Sequence, residues 1–184
     1  RLLHRLERAL SPDQNRHTEK VRFVKDNKVV FEQPMLVNED SIIAPAYVLK
    51  GKGFLKNDSL VQKPFDFTYK NFYSLTDQQQ LLRAVLFPET VNPIERFNLT
   101  EEDYKFIYQY MSQLPPETMY PPYYSDTAYH DARCKFFLYG AGKESIPANI
   151  RIFNKIGNAY GFLIDNAYVI DFKNRVEFIL SAVI

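Results

Sequence analysis

The sequence is short of most features that announce a function. Cys134 is its single cysteine in 184 residues, which excludes an internal disulfide and a cysteine-rich metal site and leaves the redox compartment open. A net charge of +1 gives no electrostatic case for nucleic acid or an anionic membrane as partner. No stretch approaches the roughly 20 apolar residues that cross a bilayer. The three histidines, His4, His17 and His130, show no metal-ligand spacing, and no cofactor is expected. Tryptophan is absent, but 13 Tyr and 15 Phe suit a large α+β core, and a Tyr-rich surface can also bind sugars or peptides.

A single domain is expected over 1–184, with no linker, repeat or low-complexity segment dividing it. "RLLHRLERALSP" places Leu2, Leu3, Leu6 and Leu10 on one helical face, stopped by Pro12. "VRFVKDNKVVFEQP" has two β-rich runs around Asp26-Asn27 and predicts a hairpin. From Pro34 to Tyr73 the signals are mixed, and an irregular excursion with short strands is expected. Two helices follow in the part covering 74–116. The first has Thr76 as its expected N-cap, an apolar set of Leu81, Leu82, Val85 and Leu86, and a stop at Pro88. The second has Thr100 as N-cap and Glu101, Glu102 and Asp103 in its first turn, where carboxylates suit the helix dipole. A long loop then leads to residues 148–184, which read as three antiparallel strands. Lys173-Asn174 is the expected two-residue link between the last two. Those two strands are apolar on both faces, which predicts a sheet covered on each side by helices.

The chain opens on Arg1 inside a helical pattern and stops on Ile184 inside an apolar run. It is therefore expected to be part of a longer polypeptide, an α+β fold incomplete at both ends, with exposed sheet edges and poor solubility.

Lys155-Ile156-Gly157 is the candidate site. A lysine on a strand can hold a substrate carboxylate and lower the pKa of a nearby hydroxyl. A glycine two residues on lets a substrate lie against the strand backbone. "YYSDTAYHD" sets Ser125, Asp126, His130 and Asp131 close together in sequence, but catalytic triads are assembled in space and rarely this locally.

"FNKIGNAYGFLIDNAYVIDF", following "LTDQQQLLRAVLF" and "LTEEDYKFIYQYM", resembles the C-terminal portion of the class A β-lactamase-like serine hydrolases, relatives of the penicillin-binding proteins. In that family the third active-site box is Lys-Thr-Gly or Lys-Ser-Gly on the strand at the sheet edge. The resemblance implies a β-lactamase/transpeptidase-like fold with helices on both faces of an antiparallel sheet. It implies an acyl-enzyme mechanism on an amide or ester, such as a β-lactam or a peptidoglycan-type peptide, and a periplasmic or secreted location. Lys155 would be catalytic, and Ile156, Gly157 and Asn158 would bind substrate, with the Asn158 backbone near the oxyanion hole. Ile156 departs from the pattern, because the family carries a hydroxyl residue there. Glu7, in the segment resembling the family's Ω-loop, would be the deacylating carboxylate. Neither S-x-x-K nor S-D-N occurs in these residues, so the nucleophile and its partner would lie upstream. The alternative is a catalytically inactive member of the fold that serves as a binding or interaction module.

Overall fold

The computed structural model describes residues 14–39, 47–68, 70, 73–119 and 122–184. The helix expected before Pro12 lies outside them. The protein is α+β. Its contacts group the chain into two compact units, Arg1–Tyr73 and Ser74–Ile184, where the sequence had led us to expect one domain.

The first unit is built from paired short strands. β1 (Val21–Lys25) and β2 (Lys28–Gln33) form the hairpin expected around Asp26-Asn27. Both turn residues are left-handed, with φ of 50° and 58°, the geometry whose twist matches that of the flanking strands. β4 (Phe54–Lys56) and β5 (Ser59–Val61) repeat the device with Asn57-Asp58. Outside them, β3 (Leu49–Lys50) pairs with β6 (Phe65–Asp66). Phe65 sits edge-on between Phe54 and Phe67, and the Thr68 hydroxyl accepts the Val48 N–H. The excursion with short strands is thus a nested pair of hairpins.

Among the described residues the α-helices and the three-stranded sheet lie in the second unit. α1 (Leu75–Leu86) starts at Ser74, whose hydroxyl accepts the Asp77 N–H at 3.0 Å. The cap therefore lies two residues before the expected Thr76, because Ser74 is the extended residue whose hydroxyl can accept the amide of the third helical residue. α2 (Glu101–Ser112) is capped by Thr100, with Asp103 returning the bond to the Thr100 N–H, a reciprocal capping box.

β7 (Ile150–Ala159), β8 (Phe162–Asp171) and β9 (Val176–Val183) form an antiparallel sheet in that order. Tyr160-Gly161, both at positive φ, close the first hairpin. The second link is four residues, Phe172 to Arg175, rather than two. The Asp171 carboxylate gathers the N–H groups of Lys173 and Asn174 and the Asn174 amide, and the left-handed residue is Arg175. A side chain acting as a local acceptor shaped this turn, and residue pattern alone did not reveal it.

Residues 165–169 of β8 are all buried, so both faces of the central strand are covered. On one face Tyr168 packs with Leu82 and Leu86 of α1, and Phe153, Tyr108 and Met111 complete the cluster. Leu81, one of the apolar set of α1, is exposed. The Tyr108 hydroxyl donates to the carbonyls of Val85 and Leu86, tying α2 to the end of α1. On the other face Ile152, Ala167 and Val169 pack with Ile146, Leu114, Phe137 and Tyr139. That second cover is made of loops and tight turns between α2 and β7. The two 12-residue helices share the first face.

Candidate functional site

The K-x-G residues lie on β7, an edge strand. Among the described residues no strand pairs along its outer side. Lys155 faces Asn166 across the hairpin, Ile156 faces Asp165, Gly157 faces Ile164 and Asn158 faces Leu163. Alternation along the strand puts Lys155 and Gly157 on the helix-covered face and Ile156 and Asn158 on the other. Lys155 is exposed, and its Nζ donates to the Ile156 carbonyl at 2.5 Å. Its cation is therefore presented to solvent, held close to the strand backbone.

Gly157 has a packing reason of its own. A Cβ there would stand 2.5 Å from Ile164 Cγ2, so the cross-strand isoleucine fills the space that any larger residue would need. The row through Lys155 stays polar across the sheet. Asn166 donates to the Gln78 carbonyl at 2.8 Å and accepts from the Ser181 hydroxyl at 2.6 Å, which joins the first turn of α1 to β8 and β9.

Sequence reasoning did not anticipate what lies beneath the opposite face. Lys135 is 2% exposed. Its Nζ donates to the Met111 carbonyl at 2.7 Å and to Asn154 Oδ1 at 2.8 Å. Asn154 Nδ2 donates to the Cys134 carbonyl at 2.8 Å and to Asp165 Oδ1 at 2.9 Å. The other Asp165 oxygen accepts the N–H groups of Phe136 and Phe137. Burial holds the Lys135 ammonium down to about 8, against 10.5 for an ordinary lysine, although Cys134 and Asp165 favour its charge. Burial likewise pushes the Asp165 carboxyl up, opposed by the bonds from Asn154 and the two amides. The visible signal was a polar pair, Asp165-Asn166, inside an apolar strand, where a polar group survives only if bonded.

The remaining candidates separate. Glu7 lies outside the described residues. Asp126 accepts the Ala128 N–H and Asp131 accepts the Ile146 N–H, so both carboxylates shape the local chain. His130 Nδ1 is buried and has no hydrogen-bond partner among the described residues. Among the described residues no three His, Cys, Asp or Glu side chains cluster as metal ligands, and no helix is long and apolar enough to cross a membrane.

No family model matches this chain, and no curated protein or solved structure does either.

Proposed function

We propose that these residues form part of a β-lactamase-like serine hydrolase that acts through an acyl-enzyme on an amide or ester. The observation that carries this is Lys155-Ile156-Gly157 on an edge of an antiparallel sheet that is open among the described residues. An open edge offers unpaired backbone groups along which an extended acyl substrate can lie, as an added strand does. The exposed Lys155 ammonium would attract a substrate carboxylate and favour the ionised form of a neighbouring hydroxyl. Ile156 supplies no hydroxyl to a bound carboxylate, so a peptide or other acyl compound fits the edge better than a β-lactam. Gly157 and Asn158 continue the binding edge, and Glu7 would activate the water that removes the acyl group. In this reading helices lie on both faces of the completed sheet, the nucleophilic serine precedes Arg1, and the enzyme works in the periplasm or outside the cell. The substrate is a small molecule or a peptide.

The test uses the gene product with the residues before Arg1 included, incubated with a penicillin and weighed intact. A stable adduct, lost when an upstream S-x-x-K serine is changed to alanine, supports the proposal. No adduct and no penicillin consumed favours another acyl substrate or the second reading, an inactive binding module. The isoleucine at the centre of the box is what favours that second reading.

A further inference from the structure

We propose that Lys135 is a positioning residue for the K-x-G strand, clamping β7 through Asn154, the residue immediately before Lys155. Its purpose rests on the hydrolase reading above, whereas the clamp rests on geometry alone.

The bonds converge from three parts of the chain. Met111 lies in the last turn of α2, where carbonyls have no partner inside the helix. Lys135 satisfies that carbonyl and, with a second donor, holds Asn154. Asn154 spends both amide hydrogens as well, on the Cys134 carbonyl and on Asp165. Asp165 in turn holds the amides of Phe136 and Phe137 and is the cross-strand neighbour of Ile156. The network therefore fixes β7 at the residue before Lys155 and, through β8, alongside the residue after it.

An apolar cluster could hold these elements with equal or greater stability. What a fully bonded lysine, amide and carboxylate add is direction, since each bond tolerates only a narrow geometry. Ile152, two residues away on the same face, supplies plain packing. The Asn154 side chain points away from the face that bears Lys155, so the clamp holds the strand without entering the proposed substrate edge.

Two measurements test this. Hydrogen exchange is followed on the 184-residue chain, comparing the amides of residues 154–157 with those of β9. Lys135→Met is expected to speed exchange at 154–157 at least ten-fold more than in β9. Lys135→Gln keeps amide donors and should recover part of the protection; it also serves as the variant to read if the methionine protein does not fold. Equal acceleration in β7 and β9 would overturn the clamp, because a residue that only stabilises the unit loosens it throughout.

Acylation by penicillin is then measured in the longer gene product. Lys135→Met should slow it at least ten-fold, while Ile152→Val, which trims the neighbouring core, should leave it within about two-fold. Local loosening with unchanged acylation would overturn the positioning role. If the unaltered protein forms no adduct with penicillin, another acyl substrate or the inactive-module reading is favoured, and the exchange comparison alone decides the clamp.

Discussion

The β1–β2 ribbon and the β7–β8 hairpin share one local design. Each is closed by two left-handed residues, Asp26-Asn27 in the first and Tyr160-Gly161 in the second. Each also carries an aromatic pair across its strands, Phe23 with Phe31 and Phe153 with Tyr168. Their surroundings differ. Phe23 and Phe31 are 58% and 55% exposed, whereas Ile152 and Val169 are 1% and 2% exposed. Turn chemistry thus decides that a hairpin forms and in which register, while stability depends on what covers it. The ribbon leans on its turn, its ring pair and the Lys20 and Arg22 bonds to Glu32. The sheet has layers on both faces of β8.

The largest test of that contrast is alkaline pH. Lys135 is charged in the folded and unfolded chain below about pH 8. Between about 8 and 10.5 the folded chain has released a proton that the unfolded chain still holds. The Lys135 contribution to stability therefore rises with pH through that window, by at most about 3 kcal/mol. The raised pKa values of Cys134 and Tyr168 act in the opposite direction, so Lys135 is read as the difference between two proteins. Urea midpoints of the wild-type protein, taken relative to those of Lys135→Met, should rise across this range. Exchange protection in the β1–β2 ribbon, whose Lys25 and Lys28 are exposed, should lack this rise. A wild-type curve that falls or stays flat relative to the variant would contradict the assignment.

Gly157→Ala is expected to cost about 1–3 kcal/mol, the usual range for overpacking a filled site. Ile164→Ala in the same chain should relieve most of that cost. A double substitution no better than the sum of the two singles would show that the 2.5 Å approach is not the cause. The smallest effect is expected in the ribbon. Phe31→Ala removes one side of a half-exposed ring pair and should cost about 0.5–1 kcal/mol, read as faster amide exchange in β1 and β2. A loss as large as that of a core truncation would mean that the ribbon is covered in solution.

These two regions also show what a sequence makes legible. Asp26-Asn27, the Thr100 cap and the three final strands could be read because each depends on residues within a few positions. Ser74 was missed in favour of Thr76, since both can cap and only the backbone shows which is extended. The four-residue link after Asp171 was missed because a carboxylate organises it. At the candidate site, Lys155 and Gly157 could be located on an edge strand, but their neighbours could not. Lys135 meets Asn154 across 19 positions, and Asp165 meets Phe136 across 29. No short pattern encodes such partners.

The strand pairings have a consequence for how the chain comes together. β1 with β2, β4 with β5, β7 with β8 and β8 with β9 each join neighbours in sequence, and β3 with β6 encloses only one hairpin. Every such loop is short, so its closure entropy is small and its contact order low. The costly closure is the one that brings α1 onto the sheet, because Gln78 and Asn166 meet across 88 positions. Hairpins can thus form early and separately, while the slow, committed event in the second unit is the arrival of the helix. Until then Tyr168 and its neighbours stay wet.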